Sequence, residues 1–200
     1  GQQAIICKVI KSSRTVWIVD QKTDSEIVAR ILEGDVQAYA QLVDAYKSPI
    51  YNLAFRMTAS LSDAEDLTQD IFIRAYQKLY QFNRGKKYFT WLYTIGINLI
   101  RNHLKKKSKD ALTHTMDHFS TESQRTGKEN REGDLLSEDS IKRLDENMQK
   151  LPVDMREAII LKYYQDMTFE EVAAVTSDSV SAVKMRVYRG LEKLKALMDK

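Results

Sequence analysis

Two hundred residues, 30% of them charged, with a mean hydropathy of −0.45 and no apolar run near the roughly 20 residues of a membrane helix, fit one soluble domain or two small ones. A single cysteine, Cys7, excludes an internal disulfide framework and a Cys-rich zinc module and suits a reducing, cytoplasmic compartment; seven glycines and two prolines disfavour a β chain of many tight turns. The formal net charge is only +3, so any nucleic-acid contact must come from clustered cations.

Residues 1–22 hold two short β-prone runs, Ile5-Ile6-Cys7 and Val16-Trp17-Ile18-Val19, and lack the continuous apolar core of a secretory signal. They read as an extension of unassigned structure. Helical patterning begins at Thr23. Thr23-Asp24-Ser25-Glu26 has the spacing of a capping box, and Gly34 is a natural stop. Asp35 then caps a second helix. Its apolar positions, Tyr39, Leu42, Val43, Tyr46, Ile50, Leu53, Ala54 and Met57, recur every three or four residues. Pro49 removes a backbone donor in its middle, so a kink or break is expected there. Ser62-Asp63-Ala64-Glu65 reads as the next capping box, ahead of a helix that buries Leu67, Ile71, Ala75 and Leu79. A polar loop, Asn83 to Lys87, leads into a fourth helix from about Tyr88 to Lys106.

After Leu104 the composition turns to Lys, Ser, Thr, Asp and Glu with no apolar period, which predicts a flexible solvated linker. A second helical unit follows. Ile141, Leu144, Met148 and Leu151 mark one helix, and Leu151-Pro152 opens another that carries Met155, Ile159 and Ile160. Thr168-Phe169-Glu170-Glu171 is a further capping box, Thr176-Ser177-Asp178 a turn, and Ser179 the cap of a last helix that buries Val180, Val183, Val187, Leu191 and Leu194. The fold class is therefore all-α: an extension (1–22), a helical domain (23–108), a linker (109–136) and a second helical domain (137–200).

Three stretches point to chemistry. The last helix follows a short helix and a three-residue turn, the order of a helix-turn-helix, and it carries Lys184, Arg186, Arg189, Lys193 and Lys195 against Glu192 alone. Small residues Ser181 and Ala182 thin its start, so it can enter a major groove while its cations meet phosphates. The fourth helix gathers Tyr80, Phe82, Tyr88, Phe89, Trp91 and Tyr93 beside Arg84, Lys86 and Lys87, a mixture suited to stacking unpaired bases; Thr94, Asn98, Arg101 and Lys105 share its polar face. Some of these aromatics must be core, but Phe82 in a polar loop is hard to explain that way. The third helix exposes Asp66, Gln69, Asp70, Ile73 and Gln77, an apolar residue among polar ones that fits either a docking stripe or an ordinary solvated face. His114 and His118 have the spacing of a helical metal pair around Asp117, but they sit in the linker without a scaffold, and no phosphate loop or nucleophile elbow occurs. No catalytic residue, metal site or cofactor is expected.

Taken in order, these stretches resemble a bacterial RNA polymerase sigma factor of the extracytoplasmic-function type. Asp63-Ala64-Glu65-Asp66-Leu67-Thr68-Gln69-Asp70-Ile71-Phe72 is similar to that family's polymerase-binding helix. Phe89-Thr90-Trp91-Leu92-Tyr93 with Asn98-Leu99 is similar to its −10-reading helix. Met167 to Ala173 followed by Val180 to Arg186 is similar to its −35-reading helix-turn-helix. The resemblance implies that Asp66, Gln69, Asp70 and Ile73 dock on the β′ clamp of core RNA polymerase. It implies that Phe82, Trp91, Asn98 and Arg101 handle the −10 element, with Phe82 capturing a flipped base of the unpaired non-template strand. It implies that Ser181, Lys184, Met185, Tyr188 and Arg189 face the −35 duplex, with Lys162 and Arg186 on phosphates. The family is also held by the β flap and often by an anti-sigma factor. Where the family's turn usually has Gly, this chain has Ser177, which must then take the turn conformation without glycine's freedom. A stand-alone helix-turn-helix regulator with a helical partner-binding domain, binding duplex promoter DNA without polymerase, and a helical metal enzyme using His114 and His118 are the rival readings.

Overall fold

The computed structural model describes residues 21–113 and 138–199, and every regular element among them is helical. Helix α1 (Gln21–Leu32) starts two residues before the expected Thr23 box. Gly34, at φ +111°, turns the chain, and Asp35 accepts from the Ala38 N–H to cap a 3₁₀ turn that leads into α2 (Tyr39–Thr58). α2 runs through Pro49 as a single helix rather than breaking. Its apolar stripe is buried along its whole length, and that packing outweighs the one missing donor. Tyr46, fully buried, donates to Asp24 at 2.5 Å and ties α2 to α1.

Ala59 takes the left-handed conformation at the end of α2. Ser60, not Ser62, caps α3 (Leu61–Gln77) by accepting from the Asp63 N–H, because its extended backbone aims the hydroxyl at the orphan donors of the first turn. α4 (Tyr88–Thr113) continues seven residues beyond the expected Lys106 end, into the stretch assigned to the linker. Asp63 on α3 explains part of this: it pairs with Lys107 at 2.7 Å and His103 at 3.3 Å, and lysine-rich sequence propagates a solvated helix well. Lys107, with His103 beside it, outweighs burial and holds the Asp63 carboxyl below its ordinary range.

The second unit comprises α5 (Glu138–Gln149), α6 (Val153–Ile159), α7 (Phe169–Thr176) and α8 (Val180–Met198). A π-helical turn, Ile160–Tyr164, extends α6, with the Gln165 N–H reaching back to Ile160 O. The Thr168 capping box forms in full, and Ser179 caps α8. α8 lies close against α6 at Gly190, where an added Cβ would stand 2.8 Å from Ile159 Cδ1 and 3.2 Å from Met155 Cβ. Ser177 does adopt the left-handed conformation, at φ +59°, and Asp178 beside it receives two hydrogen bonds from Arg186. Relieving that φ outweighs glycine's extra unfolded-state entropy, so Ser177→Gly is expected to stabilise the chain by about 0.5 kcal/mol. A melting temperature about 1–2 °C higher is the check.

The two units pack on one another. Arg156 of α6, buried, donates to Met57 O (2.7 Å) at the end of α2 and to Gln149 O and Leu151 O at the end of α5. The orphan carbonyls and negative dipole ends of two helices thus stand in for a carboxylate. Gln149 adds a bond to Arg56 O at 2.8 Å. Arg56 in turn pairs with Asp145 at 3.1 Å and lies 3.8 Å over the Tyr164 ring.

Candidate functional site

The α3 face develops as the sequence predicts. Asp66, Gln69, Asp70 and Ile73 are all exposed, Ile73 at 51%. Asp66, Gln69 and Ile73 line one wall of an open groove of about 1120 Å³ between α2 and α3. The opposite wall is Val36, Tyr39, Val43, Lys47 and Tyr51. The groove keeps its width because Tyr39 donates to Phe72 O at 2.7 Å; burial pushes the Tyr39 phenol up to about 12, so it stays a donor at neutral pH. Val36, Ile73 and Tyr76 form an apolar strip flanked by Glu65 and Asp66, which suits a partner surface that is apolar with a basic rim. Val36 and Tyr76 were not foreseen, because a 3₁₀ turn and the end of a helix leave no clear stripe to read.

Phe82 corrects an expectation. It is not an exposed loop aromatic but 6% exposed, set edge-on to Tyr88 at 5.6 Å and 5.4 Å from Trp91. The 3₁₀ turn Leu79–Gln81 turns Phe82 inward and Tyr80 outward, and Tyr80, 72% exposed, is the open aromatic of this corner. Trp91 is half-buried in the same cluster. Asn98 is exposed along α4. Arg101, the last of the four, is engaged elsewhere: it makes two bonds, 2.8 and 2.6 Å, to Glu157 on α6, whose side chain is 1% exposed. Two more contacts join α4 and its preceding loop to the second unit, Tyr93 to Gln165 at 2.7 Å and Lys87 to Glu171 at 2.7 Å. Glu157 is a buried carboxylate whose burial raises its pKa, and Arg101 returns only part of that shift.

On α8, Ser181, Lys184, Met185, Tyr188 and Arg189 are all exposed and share one side of the helix, as residues spaced by three and four must. Arg186 is turned the other way. It holds Asp178 in the turn and approaches Asp154 of α6 at 3.4 Å, so its charge is spent on setting α8 against α7 and α6. Lys162, on the π turn, donates to Met167 O at 2.9 Å and lies 4.8 Å over the Phe169 ring. Phe169 was not foreseen as part of this surface. In the sequence it stands only as the second residue of a capping box, and the ring geometry alone shows what gathers around it.

Among the described residues no group of three or more His, Cys, Asp and Glu is placed to hold a metal ion, and no helix is long and apolar enough to cross a membrane. His114, His118 and Cys7 lie outside the described residues.

Two family models match the chain in order: Sigma-70 region 2 over residues 42–110 and Sigma-70 region 4 over residues 141–194. The ECF RNA polymerase sigma factor SigW of Bacillus subtilis is 33% identical over 174 residues, covering 84% of this chain and 92% of that one. The RNA polymerase sigma-H factor of Pseudomonas aeruginosa is 30% identical over 180 residues, with coverages of 88% and 93%. Among solved structures, CnrH in complex with the cytosolic domain of CnrY is similar with a TM-score of 0.67 and 26% identity, over 90% of this chain and 98% of that one. The sigma factor RpoE of Bartonella quintana, bound to the anti-sigma factor NepR, shares the fold at a TM-score of 0.67 and 22% identity, over 80% and 96%.

Proposed function

The chain belongs to the extracytoplasmic-function sigma factors, a family of non-enzymatic initiation factors that direct RNA polymerase to promoters, and from that premise we propose how its surfaces divide the work. The α2–α3 groove, with Asp66, Gln69 and Ile73 on its wall and Asp70 exposed on the same helix, docks on core polymerase. The α8 face, with Lys184, Met185, Tyr188 and Arg189, reads the −35 duplex by groove contacts, its cations neutralising phosphates. α4 serves the −10 element through Asn98, Trp91 and Arg101. Phe82 reaches a flipped base only after its corner loosens, and the exposed Tyr80 supplies a first stacking surface. Neither unit binds promoter tightly alone; polymerase holds both, and linkage multiplies their affinities. The factor works in the cytoplasm and makes or breaks no bond.

One observation carries this reading: a chain with an open apolar groove on one unit and an exposed basic helix-turn-helix face on the other has two separate docking surfaces. A stand-alone regulator with a helical partner-binding domain would bind duplex promoter DNA without polymerase, and the family models over both units favour the polymerase-bound reading. The pairing of Arg101 with Glu157 marks the arrangement as closed, so the units must part before Arg101 is free for DNA. Both similar structures are complexes with a second protein, and an anti-sigma factor that keeps the units together is the partner proposed here. Run-off transcription tests the function. Purified chain added to core polymerase is expected to start transcription at a promoter that core alone ignores, and unchanged start-site use overturns the proposal.

A further inference from the structure

We propose that Phe169 is a positioning residue for −35 recognition, its ring holding the ammonium groups of Lys162 and Lys184 in place for the phosphate backbone. The inference deepens the reading of the α8 face given above and rests on it. Phe169 is the first residue of α7, half-buried, its cap set by the Thr168 box. Around its ring stand three side chains from two other elements. Lys162 Nζ of the π turn lies 4.8 Å from the ring centroid, Lys184 Nζ of α8 lies 5.5 Å away, and the Tyr188 ring is at 6.4 Å and 50°. Both ammonium groups fall within the range at which a ring quadrupole attracts a cation.

The physical consequence is restraint. A free lysine loses up to ~2 kcal/mol of rotamer freedom when it is fixed on a phosphate. A lysine already resting on a ring has lost part of that freedom beforehand, and preorganisation of this kind appears as affinity. The hydrogen bonding leaves room for the role. Lys162 gives one N–H to Met167 O, one side of its ammonium faces the ring, and a third N–H remains for an anion. Lys184 is exposed and carries its charge toward solvent. Phe has no hydroxyl, so the ring acts here through its π face and not through a hydrogen bond of its own.

Fluorinated phenylalanines at position 169 provide the test, because they drain the ring quadrupole while keeping its shape, and the fold is preserved. The full chain is assembled with core polymerase, and its affinity for a promoter duplex is measured across a salt series. Affinity is expected to fall stepwise with fluorine number, by about fivefold to tenfold in all, as two weakened cation–π contacts predict. In a Lys162→Met, Lys184→Met background the fluorine series is expected to be flat. An affinity independent of fluorine number in the parent overturns the inference, as does an unchanged slope in the double lysine variant. The double lysine variant separates the two levels. If it binds the duplex as the parent does over the salt series, the −35 reading of these residues fails and this inference with it. If it binds weakly while the fluorine series is flat throughout, only the role of Phe169 fails.

Discussion

Ile73→Arg is expected to leave the fold intact and to abolish stable binding to core RNA polymerase. Ile73 is half exposed on the rim of the α2–α3 groove, so a charged side chain there reaches water without disturbing the core; the change in stability should stay within about 0.5 kcal/mol. Its binding cost is another matter. An apolar side chain at the centre of a docking strip fills a desolvated pocket in the partner, and truncating or charging such an anchor typically costs about 2–4 kcal/mol, roughly 30- to 700-fold in affinity. Arginine adds a cation to a surface whose flanking Asp66 and Glu65 call for a basic partner rim, so like charges then meet. The measurement is co-elution or a titration of labelled core polymerase, with the melting temperature of the free chain as the internal control. Core binding within about threefold of the parent would remove this groove from the interface.

A second large effect is expected at the junction of the units. Arg101→Met leaves the Glu157 carboxylate buried without its cation, a loss of about 3–5 kcal/mol that the closed arrangement is expected not to survive. Glu157→Gln does the opposite. It removes the charge that burial penalises and keeps the side-chain shape, so the units stay together. The pair of changes in one chain is expected to close it again. Dyes at Ser62→Cys and Lys193→Cys, both exposed positions on different units, with Cys7→Ser, report the separation by energy transfer.

The direction of the pH dependence follows from the Glu157 carboxyl, raised in the closed form by burial and only partly offset by Arg101 and Arg186, with Asp178 adding to the rise. A carboxyl raised in the closed state binds its proton more readily there. It therefore favours closure fully below its ordinary range near 4.5, and that contribution is lost as pH rises through the raised value. Glu171 works the other way. Burial raises it, but Lys87 and the Thr168 backbone together bring it below its ordinary value; its contribution is complete above about 4.5 and fades only in acid. Above that point the raised Glu157 carboxyl gives the slope its direction. Energy transfer in the parent should fall as pH is raised, and Glu157→Gln should be flat.

Much of each unit was legible because its cues are local. The Thr168 box, the Ser179 cap, the buried stripes of α2 and α8 and the exposed face of α3 all lie within a few residues of what they explain. Errors of boundary were local too. Ser60 and Ser62 both offer a hydroxyl, and only the extended backbone at Ser60 decides between them. Pro49 carries a general penalty, yet a stripe buried over twenty residues outweighs one missing bond. What stayed hidden was of longer range. Arg101 meets Glu157 fifty-six positions away, Arg156 meets Met57 ninety-nine away, and no periodicity links such pairs. Phe82 was misread for the same reason, since the partners that bury it come from the far side of a turn. Phe169 was passed over because its ring gathers residues from two other elements, the π turn and α8.

The seat of Arg156 has a mechanical consequence. Its partner across the junction is a main-chain oxygen, that of Met57, which does not titrate, whereas Glu157 and Glu171 do. When those acids let go, the guanidinium still sits on Met57 at the tip of α2. Gln149 on Arg56 O and Tyr93 on Gln165 stay in place beside it, so separation starts as a swing about these uncharged contacts, like a door on its hinge, before the recognition helix comes away.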